Sequence, residues 1–266
     1  MGRATIVARP MAPAPLFEQR NQPPGVPPLE LTGERTLPDV PAENYWFRRH
    51  LAVYQWIAER VGGQRVVDLA CGEGYGAAVL GRRAASVVGV DANPEAFEHA
   101  RLKYTTPQVR FERDLVETWR GEVDAIVFLQ TIEHVQDPAA LLEHFRDLLG
   151  ETGRAYVTTP NLLTLAPPGA AHSGNPWHVR EYRPEQFQAL CRKHFARADF
   201  HGVHHARKLR IHQIALERFG WERLHQRLKI TKPFYGAFNP AISERDFAVR
   251  PGRIDGCLDM LAVLRG

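Results

Sequence analysis

Between residues 64 and 160 the chain repeats one local unit, and that repetition limits the folds open to it. Five short runs rich in β-branched and apolar residues, "RVVDLA", "SVVGVDA", "VRFERD", "VDAIVFLQ" and "GRAYVTTP", read as strands. Between them lie the helical stretches "YGAAVLGRRA", "NPEAFEHARLKY" and "DPAALLEHFRDLLG". Asn93 with Pro94, and Asp137 with Pro138, have the residue types that cap and open a helix, and Gly150 the type that ends one. Strands joined through helices run parallel, and a parallel sheet must be covered on both faces. The nearly unbroken apolar run "VDAIVFLQ" suits a strand in the middle of such a sheet. The expected fold class is therefore α/β, a doubly wound and mostly parallel sheet.

Open sheets of this kind bind ligands at the carboxyl ends of their strands. The first strand carries Asp68 near its end, and Gly72, Gly74 and Gly76 follow as G-x-G-x-G. A dinucleotide turn is spaced G-x-G-x-x-G and receives a pyrophosphate. A carboxylate at Asp68 repels a pyrophosphate and welcomes an ammonium group. Asp91 closes the second strand about 20 residues on, a place suited to ribose hydroxyls. Asp114 follows the third strand and suits the exocyclic amine of an adenine. The implied ligand has an ammonium group, a ribose, an adenine and no phosphates, a description that S-adenosylmethionine (SAM) meets.

The stretches "VVDLACGEGYG", "VVGVDANPEAFEHA", "VRFERDL", "DAIVFLQTIEHVQDPAALL" and "GRAYVTTPN" resemble, in order, the motifs of class I SAM-dependent methyltransferases over residues 43–161. The resemblance implies that Asp68 and the backbone at Gly72 and Gly74 hold the methionyl part of SAM. It places Asp91 on the ribose, Ala92 beside the adenine, Asp114 and Leu115 around it, and Gln130 near the methionyl group. Ala70 stands in this turn where the family commonly has glycine, which alanine replaces easily if its φ stays negative. The flanks "GERTLPDVPAENYWFRRHLAVYQ", "NPWHVREYRPEQFQAL" and "IDGCLDMLAVL" resemble bacterial methyltransferases of polysaccharide synthesis, above all those assigned to methylglucose lipopolysaccharide. The implied architecture is a Rossmann-like sheet of seven strands, "CLDMLAVL" forming the antiparallel last one. A lid helix at 43–63 covers the donor, with Tyr45 and Arg49 toward it and the arginine on the SAM carboxylate. The SAM-binding core spans 64–161, an acceptor loop 162–182, and an insert on the substrate side 205–250. Residues 1–31 form a proline-rich arm expected to be disordered, and 32–266 the methyltransferase domain.

Methyl transfer from a sulfonium is an in-line displacement, so acceptor, methyl and sulfur must be aligned and water kept out. A sugar hydroxyl is a poor nucleophile at neutral pH and gains from a general base. Candidate catalytic residues are His134 in "TIEHV" and His178 and Glu181 in "NPWHVREY". Bracing a loop is the structural alternative for His134, and capping a helix for Glu181. His201, His204, His205 and His212 suggest metal by type, but residues 201 and 204 of a strand point to opposite faces, and no metal site is expected. "FLQTIEH" is not the Asn/Asp-Pro-Pro-aromatic box of base N-methylation, so a nucleic-acid partner is not expected. The expected function is O-methylation of a hydroxyl on a saccharide or polysaccharide precursor. The alternatives are another small-molecule acceptor (a quinone, phenol or lipid precursor), RNA modification, or a non-catalytic SAM-binding module. Three widely spaced cysteines and no apolar run of about 18 residues point to the cytoplasm and away from a membrane span. The net charge of +4 demands no polyanionic partner.

Overall fold

The computed structural model describes residues 19, 22–31, 35–167, 169–219, 232–252 and 254–266. The strands of the repeating unit are β1 (Arg65–Leu69), β2 (Ser86–Val90), β3 (Val109–Glu112), β4 (Ala125–Leu129) and β5 (Arg154–Pro160). The helices α2 (Tyr75–Leu80), α3 (Pro94–Tyr104) and α4 (Pro138–Leu149) alternate with them, preceded by α1 (Asn44–Ala58). Asn93 caps α3 by accepting from the backbone of Glu95 and Ala96, and Asp137 caps α4 through Ala140. Beyond a one-turn helix α5 (Leu162–Leu165) come α6 (Pro184–His194), β6 (Arg197–His205), α7 (Arg207–Phe219), α8 (Lys232–Phe238), β7 (Phe247–Pro251) and β8 (Asp259–Arg265).

The sheet order is β3-β2-β1-β4-β5-β8-β6-β7. The first five strands are mutually parallel, β8 is antiparallel to both β5 and β6, and β7 is antiparallel to β6. Among the described residues the sheet thus has eight strands where seven are expected. The additional one, β7, lies at the end of the insert and among them pairs with β6 alone. A short edge strand that ends in proline has weak alternation and only one neighbour, which leaves little pattern to read.

Alternate residues of the strands feed two apolar layers. Val66, Val87, Val127, Tyr156 and Leu261 face one cluster with Tyr54 and Ile57 of α1 and Leu80 of α2. Val67, Leu69, Ile126, Phe128 and Ala262 face the other, with Phe145 of α4 and Phe187 of α6. Every residue of β4 is buried, which its unbroken apolar run requires. Each large side chain so enclosed contributes about 1.5–3 kcal/mol. Among the described residues no helix is long and apolar enough to cross a membrane.

Part of the N-terminal arm departs from the expected disorder. Leu29, Leu31, Leu37 and Val40 form a small buried cluster. The Pro27 carbonyl takes a hydrogen bond from His99 Nδ1 at 2.7 Å, and Gln19 Nε2 donates to Glu73 at 3.2 Å. The prolines hold an extended strap whose two leucines anchor it; residues 1–18 lie outside the described set. The insert begins and ends at the carboxyl end of β6, where His205 pairs with Phe247. It is tied to α1, because Asn44 Nδ2 donates to the carbonyls of Asn239 and Ile242, and Arg48 pairs with Glu244 at 3.2 Å.

Candidate active site

β1 has β2 on one side and β4 on the other, so the chain reverses its direction of winding there. The crevice beyond the carboxyl ends of β1, β2 and β4 is where such a sheet takes a ligand. The turn after β1 is left-handed at Gly72 (φ 56°) and Gly74 (φ 96°). A Cβ on Gly76 would strike the Tyr54 ring at 2.1 Å, so this glycine lets α1 pack closely onto the turn. Ala70 also has a positive φ, 56°, so the condition under which alanine replaces glycine easily is not met. The turn demands the left-handed geometry whether or not its residue is glycine, at a cost of about 1–2 kcal/mol for a residue with a Cβ.

Asp68 is fully buried. Its Oδ1 accepts from Tyr54 Oη at 3.1 Å, while Oδ2 has no hydrogen-bond partner among the described residues. Burial pushes its carboxyl up to about 8. A buried carboxylate with one oxygen unanswered fits an ammonium ligand, the donor group expected there. Asp91 is pinned by two backbone donors, Gly72 N on Oδ2 at 2.7 Å and Asn93 N on Oδ1 at 2.9 Å, which join the two turns and leave each oxygen room for a ribose hydroxyl. Ala92 is exposed beside it. Asp114 Oδ1 accepts from Leu115 N at 2.7 Å and Thr118 Oγ1 at 2.9 Å, and the Leu115 side chain stands 54% exposed, an apolar face of the kind an adenine ring packs on. Gln130 closes β4 at φ 53° with its Nε2 on Thr158 Oγ1 at 2.9 Å.

Two residues of α1 expected at the donor lie elsewhere. The Arg49 guanidinium is buried in a two-pronged ion pair with Asp259 at the start of β8, so the carboxylate it meets belongs to the protein. Tyr45 Oη bonds His205 Nε2 at 2.7 Å. Both lie on the part of α1 that covers β6 and β8, and Tyr54 is the α1 residue that reaches Asp68. A residue missed in the sequence is Glu73. It sits between two turn glycines with its side chain buried and accepts from His99 Nε2 at 3.0 Å, Lys103 Nζ at 2.7 Å and Tyr104 Oη at 2.9 Å. It bolts the turn to α3 from behind. The available signal was His99, Lys103 and Tyr104 recurring on one helical face.

The acceptor-side candidates converge. The 3-10 turn Ile132–His134 follows β4. The loop 162–182 returns on itself, since Asn161 and Tyr182 pair at its two ends and the buried Asn161 amide donates to the carbonyls of Ile254, Asp255 and Cys257. Arg180 N donates to the Glu133 carbonyl at 3.0 Å, and His134 Nδ1 to the Trp177 carbonyl at 2.7 Å. These bonds bring the His134 and His178 rings to 5.1 Å, edge to face. His178 Nδ1 meets Glu181 Oε1 at 2.6 Å, and Glu181 also accepts from the backbone and hydroxyl of Ser173. Burial acts to raise the Glu181 carboxyl, but the bonds from Ser173 and His178 outweigh it and hold the group below its usual range. A carbonyl only accepts, so His134 carries its proton on Nδ1. Asn175 Oδ1 accepts from Trp177 N, which turns its Nδ2 toward His178 Nε2 at 2.9 Å and puts the His178 proton on Nδ1 as well. Glu133 is buried against Thr159 Oγ1 at 3.0 Å, and burial pushes its carboxyl up to about 8.

The histidines between 201 and 212 are not gathered. His201 packs on Trp56, His205 bonds Tyr45 and Gln213, and His212 bonds Tyr235. A cleft of about 670 Å³ opens beside Arg154 and Arg265, at the amino end of β5 and so on the opposite rim from these residues.

The model of a family described as "Methyltransferase domain" matches residues 41–214. The chain belongs to this methyltransferase family. Every candidate donor and acceptor residue lies inside the matched span, while α8, β7 and β8 follow it. A probable SAM-dependent methyltransferase of Mycobacterium tuberculosis is 40% identical over 164 residues, 61% of this chain and 59% of that relative. The chain thus covers about three fifths of the length of these curated relatives. A ubiquinone biosynthesis O-methyltransferase of Xylella fastidiosa is 35% identical over 119 residues, 42% of this chain and 48% of that protein. Among solved structures, a SAM-dependent methyltransferase from Thermotoga maritima, titled a possible histamine N-methyltransferase, superposes with a TM-score of 0.56 at 17% identity, covering 84% of this chain and 93% of that one. One from Archaeoglobus fulgidus gives 0.54 at 14% identity, covering 84% and 94%. At these identities the superpositions establish the methyltransferase fold.

Proposed function

We propose that the chain is a SAM-dependent O-methyltransferase acting on a hydroxyl of a saccharide or polysaccharide precursor. The observation that carries this reading is the pairing of two clusters on one rim of the sheet. Asp68 lies among the last residues of β1 and Asp91 just beyond β2, and His134, His178 and Glu181 stand beyond the neighbouring β4 and β5. When bound, SAM supplies an electrophilic methyl on a sulfonium. Asp68 holds its ammonium, Asp91 its ribose, and Leu115 its adenine. The lid residue Tyr54 and the strap fixed by Glu73 close this half against water, which strengthens each polar contact within it. On the other half the acceptor hydroxyl loses its proton as its oxygen gains the methyl. His134, with its proton on Nδ1, offers Nε2 to that proton, and Glu181 steadies the neighbouring His178 ring.

A saccharide is favoured by the lining of the loop. Trp177, whose backbone carbonyl meets His134, is 47% exposed and offers a surface on which a sugar ring stacks, and Asn175 and Arg180 add polar groups nearby. The likeness to a ubiquinone biosynthesis O-methyltransferase supports a second reading, in which the hydroxyl is phenolic. We place the protein in the cytoplasm on its three buried, unbridged cysteines. The test is transfer of labelled methyl from SAM to a panel of oligosaccharides and, separately, of catechols and quinols. Label on saccharide oxygen supports the first reading, and label on phenols alone the second. No label on any hydroxyl removes both. His134→Ala should lower kcat by on the order of 10²-fold with SAM affinity nearly unchanged.

A further inference from the structure

We propose that Glu133, His134 and His178 form the binding site of one divalent cation of the zinc or manganese kind. The carboxylate of Glu133 and one ring nitrogen from each histidine lie within 4.8 Å of one another. Donors around one such ion sit about 2.0–2.2 Å from it, so small side-chain movements close the set. Two imidazoles and a carboxylate are the donors these ions take, and three protein ligands leave positions open for a substrate oxygen.

The surroundings of the two rings carry the inference further than proximity does. Each histidine has its Nδ1–H fixed by an acceptor, the Trp177 carbonyl for His134 and Glu181 for His178. The lone pair of each neutral ring is thereby placed on Nε2. Metal-bound histidines are oriented in this way, by a carbonyl or carboxylate on the far nitrogen. Glu181 is itself held by the Ser173 backbone and hydroxyl, so the support extends one layer outward. Glu133 has its side chain buried, and among the described residues no lysine or arginine forms an ion pair with it. A buried carboxylate with no organic cation beside it is a costly arrangement that a metal ion relieves. A cation on His178 takes the place of the Asn175 Nδ2, which now points at Nε2 from 2.9 Å.

What the ion does rests on the hydroxyl-methylating reading above; that it binds does not. Coordinated to the ion, an acceptor hydroxyl loses its proton to water more readily, and its oxygen is left charged and fixed for in-line attack on the methyl. His134 then serves as a ligand and the ion replaces it as the agent that ionises the acceptor.

The test uses the full chain, stripped with a chelator and titrated without any acceptor. Co²⁺ is followed by its visible absorption and Zn²⁺ by calorimetry. One equivalent should bind, with a nitrogen-type Co²⁺ spectrum. His134→Ala and His178→Ala should each weaken binding at least tenfold, and Glu181→Gln by about 10–100-fold through loss of ring orientation. Circular dichroism and SAM affinity of each variant report on its fold. Failure of the wild type to take up either ion, or equal uptake by folded variants, overturns the site. Undiminished hydroxyl methylation by the stripped protein overturns the role of the ion while the hydroxyl reading stands. Stoichiometric binding that depends on the two histidines, in a protein that methylates no hydroxyl, supports the site and removes the hydroxyl reading alone.

Discussion

The buried carboxyl of Asp68 makes donor binding depend on pH in a way that can be worked out. With its carboxyl near 8 in the free protein, about a tenth of the Asp68 population is ionised at pH 7 and about half at pH 8. The methionyl amine of SAM has the character of an α-amino group and titrates near 7.7–8.0. The ion pair needs both partners charged, so affinity follows the product of an acid limb set by Asp68 and an alkaline limb set by the amine. That product rises about 20-fold from pH 6 to pH 8 and falls again above pH 8. The sign follows from burial. Asp68 holds its proton in the free protein and gives it up to receive the ammonium, so near pH 7 binding releases most of one proton. The same shift means that keeping Asp68 ionised and unpaired above pH 8 costs the free protein on the order of 5 kcal/mol, which the ammonium recovers. Calorimetric titration with SAM from pH 6 to 9, in buffers of differing ionisation enthalpy, measures both affinity and proton release. Asp68→Asn should bind more weakly and lose the acid limb. A wild-type affinity that changes less than about threefold between pH 6 and 8, with no proton released, would refute the placing of an ammonium against Asp68.

Other consequences are open to simple measurements. Glu73→Gln leaves Lys103 facing a neutral partner in a nearly buried pocket, and melting temperature should fall to match a loss of about 3–5 kcal/mol; an unchanged melt argues against its anchoring role. Ala70→Gly removes a Cβ from a residue at φ 56°, and urea unfolding should show stability unchanged or up to about 1 kcal/mol higher, the relief of strain being offset by the greater freedom of glycine in the unfolded chain. A loss of about 0.5–1 kcal/mol or more would mean the turn carries no strain. His205 is pushed down to about 4 by burial, so its contribution is complete above the unfolded value near 6.5 and is lost as pH falls toward 4, by about 3 kcal/mol in total. His205→Gln should flatten that part of the stability profile between pH 4 and 7, and a slope equal to wild type would exclude His205 as its source.

The two halves of the site differ in how far they could be read from sequence, and the difference is physical. Asp68 and Asp91 lie at or near strand ends, and strands here are runs of β-branched residues buried on both faces. Once the runs are located, the sheet dictates where their ends stand. The sign of the charge beside the glycine turn then gives the ligand proposed for it. His134 and His178 belong to segments with no periodicity, and their meeting depends on bonds between distant backbones, such as Arg180 to Glu133 and Trp177 to His134. Type and position identified these residues as candidates without showing that they share one cluster. Arg49 was misplaced for the same reason. Its position on the N-terminal helix was legible, but its partner Asp259 stands 210 residues away, at the start of β8, which enters the middle of the sheet antiparallel. The leucines that anchor the strap were hidden by the prolines around them, since composition averages over a segment while burial is decided by single side chains. Glu73 was overlooked because a residue between two turn glycines is read by what the glycines hold, whereas its side chain points the other way, into α3. The proposed donor half is therefore written in the local pattern of each strand and turn. The proposed acceptor half is written in loop closures, and in this protein the deciding closure is the short path from the Trp177 carbonyl through His134 to the ring of His178.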